Sequence, residues 1–202
     1  MTYYLRIYVL KNKNLNKDLI KMTEPELASL CAKGDSLAQR ELYNRYAARV
    51  NALCLRYLSN LHDAEDLTLE VMAKVLNSIG KYKYLGDGSL YAWISKIATN
   101  LAIDKLRRKG RLTIFNMDRL DEDIALPTNE VITDVPIAIL RNMINEIPDT
   151  QRLVLYMFCL EGYSHKEIAA LLGITDKASS SLLSKAKSML EKKIKDYERK
   201  NV

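Results

Sequence analysis

The chain has 202 residues, 48% of them hydrophobic, which allows one large or two small packed domains and excludes wholesale disorder. Seven glycines and four prolines, with frequent Leu, Ala, Lys and Glu, favour helices over strands, and a formal net charge of +6 suits a polyanionic partner without specifying one. Cys31, Cys54 and Cys159 are odd in number and form no Cys-x-x-Cys pattern, which fits buried thiols in a reducing cytosol.

No run reaches the length needed to cross a bilayer. The opening MTYYLRIYVLKNKNLNK has neither the basic start nor the small-residue cleavage site of a signal peptide, so the chain reads as cytoplasmic. Residues 1–21 differ from the rest. Tyr3, Tyr4, Ile7, Tyr8 and Val9 prefer a strand and an Asn/Lys-rich stretch follows, giving a strand-like or loose extension, with Met22 as the alternative start.

From Glu24 a helical pattern takes over. Leu42, Tyr46, Val50, Leu53 and Tyr57 recur at three and four residues and predict a long amphipathic helix to about Leu58. A turn at Ser59–His62 leads to a second helix, its start capped by Asp63 and its buried side carrying Leu67, Val71, Val75 and Ile79. After the loop KYKYLGDG, Ser89 caps a third helix with Leu90, Ile94, Ile97 and Leu101 inward and the basic end LRRKGR. From Asn116 to Asp134 there are six acidic residues against one basic, a proline and no steady period, which predicts a linker. Pro136 opens a further helix with Leu140, Met143, Ile144 and Ile147 as its stripe; Pro148 breaks it, and Leu153, Tyr156, Met157 and Leu160 mark the next.

The stretch SHKEIAALLGITDKASSSLLSKAK, residues 164–187, carries the densest signal. Ser164 followed by Glu167 is a capping-box start, Gly173 permits a left-handed stop, and Thr175 caps a second helix at once. Two helices joined so tightly, the second basic towards its end, predict a helix-turn-helix; an ordinary core hairpin is the plainer alternative. On a helical wheel Ser179, Leu183, Ala186, Leu190 and Ile194 form the inner stripe, while Lys177, Ser181, Ser184, Lys185 and Ser188 face outward. Leu182 sits on the flank. The expected fold is therefore all-α: small helical domains at 22–112 and 136–198, a flexible acidic linker at 113–135, an extension at 1–21 and a tail at 199–202.

Two further constellations could carry chemistry. In HDAEDLTLE, Asp66 and Glu70 share a helix face, with Glu65 and Asp63 beside them; a solvated acidic face, a docking surface for a basic partner and, remotely, a metal site with His62 are all open. From Tyr82 to Arg111, Tyr82 and Tyr84 on a glycine-containing loop could stack on unpaired bases, Lys83 could follow phosphates, Asn100 could read a base edge, and Arg107, Arg108, Lys109 and Arg111 supply salt-sensitive phosphate binding. Trp93 fits a core position better than a base-stacking one. There is no nucleophile–base–orienter set, no P-loop and no GxGxxG, so no enzymatic reaction, cofactor, metal or small-molecule substrate is expected.

With these residues in place, the chain resembles the sigma-70 family of bacterial transcription initiation factors, in its small extracytoplasmic-function group. The resemblance lies in LYNRY (42–46), DAEDLTLEV (63–71), YLGDGSLYAWI (84–94), IATNLAIDKLRR (97–108), IPDTQR (147–152) and GYSHKEIAALLGIT (162–175), in order and covering nearly everything after Met22. It implies that Asp63, Glu65, Asp66 and Glu70 bind core RNA polymerase. It implies that Tyr82, Lys83, Tyr84, Trp93, Asn100, Arg107, Arg108 and Lys109 hold the promoter −10 element, including an unpaired non-template base. Ser164, Thr175, Lys177, Ser180, Ser181, Ser184 and Lys185 would meet the −35 duplex, and the acidic linker would thread towards the polymerase cleft. An anti-sigma factor, membrane-bound in many relatives, is a further candidate partner. The pattern departs at Leu69, where the family often has glutamine; at Tyr84, where phenylalanine is usual; and at Ser180 and Leu182, where basic or amide groups are common. The rival reading is an autonomous dimeric helix-turn-helix regulator.

Overall fold

The structure is a computed structural model that describes residues 22–110, 112 and 135–201. The expectations for residues 1–21 and for nearly all of the linker lie outside the described residues. Among those described, every regular element is helical, in keeping with the all-α expectation. The chain divides into two compact units, Met1–Ala102 and Ile103–Val202.

In the first unit α1 spans Glu24–Ala32, α2 Ser36–Leu58 and α3 Leu61–Ser78; a single 3₁₀ turn, Ile79–Lys81, follows, and α4 begins there at Ser89 and runs to Arg108, past the unit boundary at Ala102. Thr23 and Glu26 form a capping box at the start of α1, and the Asp35 carboxylate accepts from the Ala38 amide 2.8 Å away to start α2. The predicted stripe of α2 is wholly buried: Leu42, Tyr46, Val50, Leu53 and Tyr57 all lie in the core. Leu67, Val71 and Val75 of α3, with Ile79 beyond it, meet that stripe, and α2 against α3 is the main helix pairing. Each large aliphatic side chain so buried contributes roughly 1.5–3 kcal/mol. α1 packs across α2 and the 3₁₀ turn.

Several local expectations give way to tertiary structure. Asn60, not Asp63, caps α3: its side chain accepts from the Asp63 amide at 2.9 Å, placing Asp63 in the first turn. On α4 the buried positions are Leu90, Ile94, Ala98, Thr99, Leu101, Ala102, Ile103 and Leu106, with Ile97 only half-buried. Tyr91 reaches back to α2, where it lies 6.2 Å from the Tyr46 ring in a stacked pair and 3.5 Å beneath the Arg49 guanidinium. Thr99 is fully buried and its hydroxyl has no hydrogen-bond partner among the described residues. Thr99→Val keeps the shape and removes the desolvated hydroxyl, so it is expected to stabilise the protein by about 1 kcal/mol. A denaturant midpoint that falls instead of rising would contradict this.

In the second unit α5 spans Ile137–Asn145, α6 Asp149–Cys159, α7 His165–Leu172 and α8 Asp176–Asn201. Pro136 and Pro148 each sit just before a helix, not within its first turn, and their carbonyls accept the first amides of α5 and α6. The long helix α8 is the spine, against which α6, α7 and α5 all pack. Near its far end Val135, Met143 and Ile194 form a small core with Ile139, Leu140, Leu190 and Tyr197, and Lys193 pairs with Glu146. On α6 the buried run is Arg152–Met157, while Leu160 is exposed, beyond the last turn that packs on α8.

Candidate nucleic-acid interface

The loop before α4 is built from its own hydroxyls. The Ser89 oxygen lies 2.7 Å from the Tyr82 hydroxyl and accepts from the Leu85 amide at 3.2 Å. Ser89 therefore ties down the loop and does not cap α4. That cap is Glu24 of α1: its carboxylate accepts from the amides of Gly88 at 3.2 Å and Leu90 at 2.9 Å, and from the Tyr46 hydroxyl at 3.2 Å. Tyr84 donates to Asp87 at 2.8 Å, a bond that holds its phenol above the usual range. Burial first, then the Glu24 charge, pushes Tyr46 up to about 12.

The result is a loop tied by hydrogen bonds at its base, with an apolar side chain at its tip. Leu85 is 86% exposed at the tip, Tyr84 and Lys83 are exposed beside it, and Tyr82 is half-buried against a half-buried Trp93, ring centroids 5.8 Å apart. Trp93 is thus neither a core residue nor a free platform; its edge completes the wall behind Tyr82. Further along α4 Asn100 is exposed, and the helix ends in exposed Arg107, Arg108 and Lys109, Arg107 pairing with Asp104 at 3.3 Å. At 1.5 Å per residue the aromatic end and the basic end of α4 stand about 20 Å apart, a spacing that suits a strand followed over several nucleotides.

The acidic face of α3 is exposed at Glu65, Asp66 and Glu70, while Asp63 is half-buried. His62 Nδ1 lies 3.8 Å from Asp66, and no group of three metal-binding side chains occurs among the described residues. Leu61 and Leu69 are exposed on the same side of α3, at 58% and 59%, so this face is apolar as well as acidic.

In the second unit the predicted caps form as the sequence directs. Ser164 and Glu167 make a reciprocal capping box, Gly173 adopts φ +71 and donates to the Ala169 carbonyl at 2.9 Å, and Thr175 accepts from the Ala178 amide at 3.1 Å. α7 and α8 thus meet in a tight turn. His165 stacks on Phe158, centroids 4.6 Å apart, and its Nδ1 lies 2.9 Å from the Ser179 hydroxyl, locking α6, α7 and α8 together at the turn. On α8 the inner stripe is as expected, with Ser179, Leu183, Ala186 and Ile194 buried. Leu182 is also buried, which makes it core and removes it from the reading face. Ser184 is buried rather than outward. The wheel assumed one inner stripe, whereas a helix packed by three others is covered over more than one side. Lys177 is exposed, and Ser180, Ser181 and Lys185 are half-exposed.

Comparison with known proteins decides what these surfaces belong to. The family model for Sigma-70 region 2 matches residues 42–112, and that for Sigma-70, region 4 matches residues 137–190. The chain belongs to the sigma-70 family. It is 34% identical over 153 residues to the ECF RNA polymerase sigma factor SigE of Mycolicibacterium smegmatis, covering 71% of this chain and 57% of that relative. With the ECF RNA polymerase sigma-E factor of Haemophilus influenzae it shares 28% over 186 residues, covering 86% and 96%. A solved structure titled as the sigma factor RpoE in complex with the anti-sigma factor NepR, from Bartonella quintana, aligns with a TM-score of 0.49 at 18% identity over 76% of this chain and 94% of that one. Relatives at this distance support the extracytoplasmic-function type.

Within this sigma factor, sequence reasoning missed two features of the Tyr82–Ser89 loop and one of the acidic face. Leu85 could have been found as an apolar residue isolated in a polar loop. Leu61 could have been found at the helix start. Glu24 had no local signal, since its partners lie 64 and 66 residues away.

Proposed function

We propose that the protein is a promoter-specificity subunit of RNA polymerase: it docks on the core enzyme through α3, recognises a −10 element with the Tyr82–Ser89 loop and α4, and grips a −35 element with α7 and α8. The observation that supports this best is the pair of family regions in order on one chain, each falling on a surface with the chemistry its task needs. We take 22–112 and 136–198 as the working domains, because α4 is one continuous helix and the region 2 match runs through it to residue 112.

The protein carries out no reaction itself. Aromatic and apolar groups on the loop bind an unpaired base of the non-template strand, and that binding offsets an unstacking cost of a few kcal/mol per extruded base. Arg107, Arg108 and Lys109 neutralise phosphates, while Lys177, Ser180, Ser181 and Lys185 face the −35 duplex beyond the caps of Ser164 and Thr175. Action with core polymerase places the protein in the cytoplasm, and an anti-sigma partner would act by covering these same surfaces. An autonomous dimeric regulator would leave the acidic face of α3 and the aromatic loop without roles.

Run-off transcription tests the reading. Purified protein with core RNA polymerase is expected to give discrete transcripts from genomic fragments that core alone does not. Tight binding to a palindromic duplex, with no specific transcript, would refute it.

A further inference from the structure

The N-terminus of α4 has no capping side chain of its own. The residue before the helix is Gly88, at φ +86, and the oxygen of Ser89 is engaged by Tyr82 and Leu85. Two amides at this helix start nevertheless find a carboxylate, and it comes from the first residue of α1. Glu24 stands eighteen residues before the region 2 match begins at residue 42. We infer that Glu24 is a positioning residue for promoter-strand binding: by capping α4 from a distance it fixes where the Tyr82–Gly88 loop leaves the helix and so holds Tyr84 and Leu85 ready for the unpaired base.

Three physical points support this, given the promoter-binding reading on which it rests. The half-buried carboxylate lies at the starts of two helices, α1 and α4, each of which presents partial positive charge to it. Its Oε1 is shared between the Gly88 amide and the Tyr46 hydroxyl, and Tyr46 is itself buried in the α2 stripe and stacked on Tyr91. The loop anchor is therefore tied to the core of the unit. Finally, a loop whose tip is 86% exposed has little packing to hold it, so its hydrogen bonds at the base determine how much of the time it is competent. Apparent affinity falls in proportion to that fraction.

The test uses the full-length protein. Amide hydrogen exchange at Gly88 and Leu90 in Glu24→Ala is expected to accelerate about tenfold or more, with Val71 on α3 unchanged. Holoenzyme carrying the variant is then assayed on a fork fragment with an unpaired non-template −10 strand, taken from a promoter recovered by run-off transcription. Affinity for that strand is expected to fall about tenfold, while affinity for core polymerase and for the −35 duplex stays within twofold. Glu24→Gln keeps the size and one acceptor but points an amide at the other donor, so it should recover part of the loss, and it stands in if the alanine variant does not fold. Unchanged exchange at Gly88 and Leu90 overturns the cap. Accelerated exchange with unchanged strand affinity overturns the positioning role. A wild-type protein that recovers no promoter sinks the parent reading before any variant is compared, and the inference with it.

Discussion

Replacing Arg152 with methionine is expected to destabilise the second unit by about 3 kcal/mol. Arg152 is only 4% exposed. Its guanidinium donates to the carbonyls of Asn145 at 2.9 Å and Ile147 at 3.0 Å, and it pairs with Asp149. Asn145 is the last residue of α5, whose final carbonyls have no partner within the helix, and Ile147 lies just past its C-cap Glu146. The planar fork reaches both at once while its charge is balanced from the first turn of α6, so a single side chain closes one helix and joins it to the next. Methionine fills much of the volume but takes the guanidinium donor from both carbonyls and the Arg152 charge from Asp149. The Asp149 side chain remains partly open to water, at 21%, which sets the expectation at the lower end of the range for broken buried pairs. Lysine should fall between, since it keeps the charge and loses the fork. Thermal unfolding followed by circular dichroism is expected to show a midpoint lower by about 10 °C or more for methionine. A shift of a degree or two would mean that these bonds do not form in solution. Arg152 lies inside the IPDTQR segment that carries the family resemblance, yet its role here is to hold α5 against α6 rather than to touch nucleic acid.

What could be read from the chain and what could not divides by the distance over which the responsible interaction acts. The turn between α7 and α8 was legible residue by residue, because Ser164, Glu167, Gly173 and Thr175 each bond to a group within four positions. The stripe of α2 was legible for a related reason: a long amphipathic helix has one face to bury, and the period names it. Failures began where a third partner entered. Ser89 has the right residue type to cap α4, but Tyr82 and the Leu85 amide claim its oxygen and Glu24 supplies the cap from another helix. Asp63 and Asn60 both favour a helix start, and only the backbone settles which stands outside the first turn. Ser184 looked outward on a wheel with one inner stripe, a simplification that fails for α8 because three helices pack on it.

The same distinction moves the sharpest test of the acidic face away from Asp63. That residue lies half-buried in the first turn of α3, where reversing its charge would oppose the helix dipole as well as any partner. Glu65 and Asp66 are exposed and one turn further on, so Glu65→Lys together with Asp66→Lys changes the surface and little else. Stability is expected to move by no more than about 1 kcal/mol for the pair. Affinity for core RNA polymerase is expected to fall roughly 100-fold, because under the proposed docking two attractive contacts become repulsive. Raising salt should narrow the gap, since screening weakens repulsion and attraction alike. Leu69→Gln separates the apolar contribution from the charged one: it removes an apolar contact without touching charge, and its effect should be salt-independent. Duplex binding by the intact protein in the absence of polymerase should be unaltered in both variants. Should the double reversal bind polymerase as the wild type does, α3 is not the docking element, and the acids on its face are only solvated. Should polymerase and DNA binding fall together, the two tasks are not divided between α3 and the rest of the chain.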